Sequence, residues 1–75
     1  MLRYYIIREE NMHIVAVHKV RDSGKAYFIK LCTAGAFRGD ELHMIAIEVN
    51  DHGSVTAETV IYMYIRGEDV VVGLQ

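Results

Sequence analysis

Four histidines and one cysteine are the side chains that could bind a metal or act in catalysis. His13 and His43 occupy matching positions in two similar segments, residues 12–17 and 42–47, and adjacent strands would bring their imidazoles together. None of the recognised metal-site spacings is present, because no two histidines lie four residues apart and no second cysteine exists. His13 and His43 are therefore weak metal candidates, and we expect neither a metal nor another cofactor.

A nucleophile would have to be Cys32 or a serine. Cys32 ends an apolar run over residues 27–32, which is typical of a buried and unreactive thiol. Ser23 and Ser54 lie in or beside turn-like stretches, where hydroxyl groups ordinarily bond to the local backbone. Nothing in the sequence orders these groups as a catalytic triad, so we predict that the chain is not an enzyme.

The single cysteine and the N-terminal residues bear on the compartment. A lone cysteine forms no internal disulfide and is typical of proteins in a reducing environment, so we predict a cytoplasmic location. Residues 1–7 carry one basic side chain and few apolar ones before the charged residues 8–10. This pattern is neither that of a signal peptide nor that of a membrane span.

Length and composition predict one small domain that associates with itself. The 75 residues form a single domain, and a chain of this size buries only about 60% of its unfolded surface. Yet 52% of the residues are hydrophobic, more than one small core absorbs. Without disulfides or a metal, oligomerisation is the remaining way to stabilise such a chain.

Short runs rich in valine, isoleucine, tyrosine and threonine alternate with polar clusters along the chain, which favours strands. We predict an all-β fold, a small antiparallel sheet or barrel of about six strands. The fifth segment also has a helical alternative, because Ala57, Ile61 and Tyr64 would share one helix face. Its six β-branched residues favour the strand. The predicted strands cover residues 2–8, 12–20, 26–33, 42–49, 55–66 and 70–74.

Two Asp-x-Gly sequences predict hairpin turns, one at residues 22–24 and one at residues 51–53. The strands before these turns resemble each other, and one interpretation is an internal duplication that gives a pair of pseudo-repeated hairpins. The other interpretation is that buried strands resemble one another because few residue types suit them. The alternation within the two hairpins predicts a core of Val15, Val17, Ile29, Leu31, Ile45 and Ile47.

Charge is divided unequally along the chain. Residues 1–39 carry seven basic and three acidic side chains, a net charge of +4, whereas residues 40–75 carry one basic and seven acidic, a net charge of −6. Opposite charges favour association, and tyrosines suit a half-dry contact surface. The interface candidates are two tyrosines, two residues of the irregular loop and two lysines of the predicted first hairpin: Tyr62, Tyr64, Phe37, Arg38, Lys25 and Lys30.

Together these features favour a non-enzymatic, homo-oligomeric interaction or regulatory module that binds a protein or a small ligand. The first alternative is a small β-barrel that binds RNA or single-stranded DNA through its basic first hairpin. The second alternative is a metal- or cysteine-dependent enzyme. We expect no membrane partner.

Overall fold

A computed structural model describes residues 2–68 and 70–73 of the chain. Within these residues no helix is both long and apolar enough to cross a membrane. The described elements are five strands and one helix: β1 (Leu2–Glu9), β2 (Ile14–His18), α1 (Arg21–Thr33), β3 (Glu41–Val49), β4 (Val55–Ile65) and β5 (Val70–Gly73).

The five strands form one open, antiparallel sheet in the order β2-β1-β3-β4-β5. β3 lies at its centre and pairs along its whole length, with β1 on one side and β4 on the other. The sheet has two faces, because successive side chains of a strand point to opposite sides. β1 and β4 pair with β3, and β2 and β5 pair in turn with β1 and β4, so β3 sets the position of the other strands.

The helix α1 packs against one face of this sheet. Gly24 and Phe28 are its buried residues, one helical turn apart, and Leu31 continues the same side at the next turn. Gly24 lets the helix approach closely: a Cβ atom there would lie 2.8 Å from the Cε atom of Met44, so the flexible end of that methionine would have to shift. Asp22 in the first turn and Lys30 in the last turn complement the helix dipole.

The hydrophobic core lies between α1 and the sheet. The ring of Phe28 is fully buried and lies against residues from three strands, among them Ile7, Leu42 and Met44. Ile61 joins this cluster because β4 has a bulge there: Met44 pairs with Tyr62 and Ile45 with Val60, which leaves Ile61 without a cross-strand partner.

The predicted barrel of six strands is wrong, because residues 26–33 form the second half of α1. The Asp22-Ser23-Gly24 sequence lies inside the helix and is not a hairpin turn. Two pseudo-repeated hairpins are therefore absent, and the segment that contains His13 leads into an edge strand followed by a helix. The reason is tertiary: Gly24 and Phe28 bury one helix side against the sheet, which outweighs the β-propensity of Tyr27 to Ile29.

The mostly β character, the second hairpin and the fifth predicted segment are confirmed. Gly53 has φ of 81°, and Asn50 accepts hydrogen bonds from the backbone N–H groups of His52 and Ser54, which closes the β3–β4 turn. The segment that also had a helical interpretation is the strand β4.

The predicted core is correct only in part. Ile45 and Ile47 are buried, and Leu31 packs at the edge of the core. Val17 is 56% exposed and Val15 and Ile29 are also exposed, because the hairpin that would have enclosed them does not form.

Two substitutions distinguish the helix α1 from the strand that the sequence predicted over residues 26–33. Phe28→Ala should lower the free energy of unfolding by about 3–5 kcal/mol, because it empties the centre of the core. Tyr27→Ala, one residue away, should cost about 1 kcal/mol, since Tyr27 is 37% exposed and its ring packs at a tilt against that of His18. Urea denaturation measures both. A strand with Tyr27 pointing inward would reverse the order of the two losses.

Candidate interaction surface

The two faces of the sheet differ in what covers them. The α1 face is covered by the helix, whereas the opposite side, called here the open face, has no helix or strand of the described chain over it. The pairing register assigns the following residues to the open face: Leu2, Tyr4, Ile6, Arg8, Ile14, Val17, Glu41, His43, Ile45, Ile47, Val49, Val55, Glu58, Val60, Met63 and Ile65.

The central strand β3 is apolar on both of its faces. Leu42 and Met44 point to α1 and are fully buried. Ile45 and Ile47 point to the open face, yet they are only 1% and 8% exposed. Such continuous apolar sequence is typical of strands that are covered on both faces. The chain supplies one covering layer, and β3 has the composition for two.

An ion pair shields the middle of the open face. Arg8 lies opposite His43, and Glu58 lies opposite Ile47, so that Ile45 is between them on the same face of β3. The Arg8 Nη1 and Glu58 Oε1 atoms are 3.9 Å apart. A side chain that reaches from β1 to Glu58 therefore crosses over Ile45, which accounts for the burial of Ile45 on a face without a second layer.

Two polar atoms on this face are shielded from water without a hydrogen-bond partner. They are Nε of Arg8 and Nε2 of His43, which are neighbours across β1 and β3. Unpaired buried polar groups are rare in folded proteins because they are costly. The open face thus has two buried polar atoms without a partner in the described chain beneath its apolar surface.

Strongly exposed apolar side chains surround this centre. Leu2, Ile14, Val17 and Val55 are each between 52% and 58% exposed, and their cross-strand partners place them on the open face. Scattered apolar residues on a surface need no explanation, but a contiguous patch is characteristic of a contact surface.

Three of the predicted interface residues meet on the α1 side, at the end of the helix. Phe37 packs edge-on against Tyr64, with ring centroids 6.2 Å apart, and together with Arg38 they line a groove of about 360 Å³. Tyr64 is only 8% exposed and belongs to the core, so it offers little surface to a partner. The backbone carbonyl of Arg38 accepts a hydrogen bond from Arg66, which fixes the loop.

Tyr62 and Lys25 meet at the other end of the helix. The Lys25 Nζ atom lies 5.2 Å from the centroid of the Tyr62 ring and the Arg21 guanidinium 5.8 Å from it. The hydrogen bond from Arg21, together with Lys25, holds the pKa of the Tyr62 phenol below its usual value. Lys30 is apart from this pair, exposed in the last turn of α1.

The two candidate metal-binding histidines lie in different settings. His43 is on the open face beside Arg8, whereas His13 lies in the turn between β1 and β2, where its carbonyl accepts a hydrogen bond from Glu9. In the described part of the chain, no three side chains of histidine, cysteine, aspartate or glutamate come together as a metal site.

The open face as a whole, and its pair Arg8 and Glu58, were missed by the sequence reasoning. One signal was available: residues 42–47 are apolar at both odd and even positions apart from His43, which indicates burial on two faces. The ion pair had no such signal, because it depends on the register of three strands and on the bulge in β4.

The surroundings of Cys32 predict a poorly reactive thiol. Burial against the core raises its pKa to about 11 from an ordinary value of 9.0, so the thiolate fraction near neutral pH falls about a hundredfold. Iodoacetamide should therefore alkylate Cys32 about a hundred times more slowly at pH 8 than the same thiol in urea. The rate should rise about tenfold per pH unit up to pH 10. Equal rates in folded and unfolded protein would contradict this assignment.

Comparison with known proteins finds no family that matches this chain, and no curated protein or solved structure that matches it either. What the chain does must therefore be inferred from its own surfaces. Of these, the open face is the one on which apolar area, an ion pair and unpaired polar atoms occur together.

Proposed function

We propose that this chain is a non-enzymatic interaction module that works as a homo-oligomer and buries its open face between subunits. The observation that carries the proposal is that Leu2, Ile14 and Val17, each more than half exposed, lie on a sheet face that no element of the described chain covers. Sheets of this kind are stable when both apolar faces are covered, and a second sheet packs on such a face at a distance of about 10 Å.

The size of the open face suits a second copy of the chain. Five strands about 4.8 Å apart, each contributing about seven residues, give roughly 550 Å² in projection. Each partner of a stable complex buries ~800 Å², so a contact between two copies would have to use the whole of the open face. A small domain without disulfides also gains the most from such an interface.

This arrangement leaves α1 on the outside of the assembly. Lys25 and Lys30 are exposed there, and we propose them as contacts for a protein that the oligomer binds or regulates. RNA or single-stranded DNA is the alternative partner of this basic helix. The ring of Tyr62 is already covered by Arg21 and Lys25, which speaks against base stacking. Binding to nucleic acid that weakens steeply with salt would favour the alternative.

A pair of matched variants tests the proposal. Val17 and Val20 are 56% and 59% exposed, but Val17 lies on the open face and Val20 precedes α1. Val17→Lys should weaken self-association at least tenfold, about 1.4 kcal/mol, because a charge enters an apolar contact. Val20→Lys should leave it unchanged. Analytical ultracentrifugation over a range of concentrations measures both.

Salt supplies a second readout of the same experiment. Apolar contact should supply most of the affinity, so the wild-type oligomer should persist at high salt, where exposed ion pairs are screened. A wild-type chain that stays monomeric at high concentration would refute the proposal. An equal effect of the two lysine substitutions would mean that the subunits meet elsewhere.

A further inference from the structure

The apolar area of the open face indicates that two copies associate, and the charges at its middle indicate how the two copies are arranged. Arg8 is 21% exposed and Glu58 is 59% exposed, so the carboxylate faces outward from the sheet. Their separation of 3.9 Å is longer than a charge-assisted hydrogen bond, which is about 2.7–2.9 Å. The pair therefore makes an ionic contact across Ile45 without a close hydrogen bond.

The guanidinium of Arg8 also has donors to spare. Arginine offers five N–H groups, and the Nε group of Arg8 has no acceptor although it is shielded from water. His43, its neighbour across the sheet, has an unpaired Nε2 atom in the same condition. Because these two atoms are inaccessible from outside, a second copy could contact Arg8 only through the 21% of its side chain that remains exposed.

We propose that two copies meet open face to open face about a twofold axis, and that Arg8 of each copy pairs with Glu58 of the other. The proposal rests on the proposed function, since it requires that the open face be buried between subunits. It adds the symmetry of the contact and the residues that fix its register.

The reason is that the open face is complementary to itself. In a twofold contact both copies use the same patch. When the axis lies between the sheets, midway between the Arg8 guanidinium and the Glu58 carboxylate, each group comes to lie over its opposite in the other copy. The result is a square of four alternating charges over Ile45, and a shifted register would instead bring like charges together.

Two further carboxylates lie towards the His43 end of the sheet. Glu10 accepts a hydrogen bond from the Glu41 backbone N–H and lies close enough to His43 for an electrostatic interaction. Glu41 is on the same face, but it pairs with Ile65 at the far end of β3 and β4. Arg3 and Glu48 are joined by a 2.6 Å ion pair on the α1 face of β1 and β3, so neither is available to the open face.

The test is a charge exchange between copies. Arg8→Glu and Glu58→Arg should each weaken self-association at least tenfold, because each variant faces itself with four like charges. Mixed in equal amounts, the two should form a heterodimer with about wild-type affinity, since every contact across the axis is again between opposite charges. The double variant should dimerise with itself. Sedimentation and native mass spectrometry distinguish these species.

The matched control uses the ion pair on the other face. Arg3→Glu, Glu48→Arg and their mixture should self-associate as the wild type does. If the charge-reversal variants do not fold on their own, Arg8→Gln and Glu58→Gln replace them, because glutamine removes the charge but keeps a polar side chain. Each should weaken association several-fold while leaving the circular dichroism spectrum unchanged.

The outcomes separate this inference from the proposed function. Dimers of Arg8→Glu or Arg8→Gln as tight as wild type, or a mixture of the charge reversals that stays monomeric, would overturn the exchanged pairing. If Val17→Lys still breaks those dimers, the open face is the interface and only its arrangement is different. A monomeric wild-type chain would remove the proposed function itself.

Discussion

The structure depends on the need to bury β3 on both of its faces. This strand lies at the centre of the sheet, and its alternating residues are apolar in both directions, Leu42 and Met44 on one side and Ile45 and Ile47 on the other. Removing apolar surface from water is the main force available to so small a chain. α1 covers one face. On the other face the Arg8–Glu58 pair shields Ile45, and the exposed apolar residues around it, Ile14 and Val17 among them, form the surface that we propose a partner covers.

Charge pairing follows from the same strand order. The chain separates its basic and acidic halves in sequence, but β3 pairs directly with β1 and brings the two halves side by side. Arg3 meets Glu48 on the α1 face, and Arg8 meets Glu58 on the open face. The opposite charges therefore attract each other within one chain. Of the two pairs, Arg8 and Glu58 lie on the face where we propose that they also attract their counterparts in a second copy.

The sequence predicted the β3–β4 hairpin because its signals are local: Gly53 adopts the left-handed conformation, and Asn50 closes the turn. It failed at α1, where Asp22-Ser23-Gly24 has the composition of a turn and Phe28 the composition of a strand. The spacing of Gly24, Phe28 and Leu31 was a helical signal, but its meaning depends on the sheet that the helix covers. The pair of Arg8 and Glu58 depends on strand order and register, which local sequence does not encode.

The central claim is that the open face is buried against a second copy. The most direct measurement is an isotope-filtered NOE experiment on a mixture of ¹³C-methyl-labelled and unlabelled chains, which detects only contacts between subunits. The account predicts intermolecular cross-peaks from the exposed methyl groups of Leu2, Ile14 and Val17 on the open face, and none from the buried methyl groups of Leu42 and Met44 under α1. Cross-peaks confined to α1 or its loops, or no intermolecular cross-peaks at concentrations where the protein is an oligomer, would contradict it.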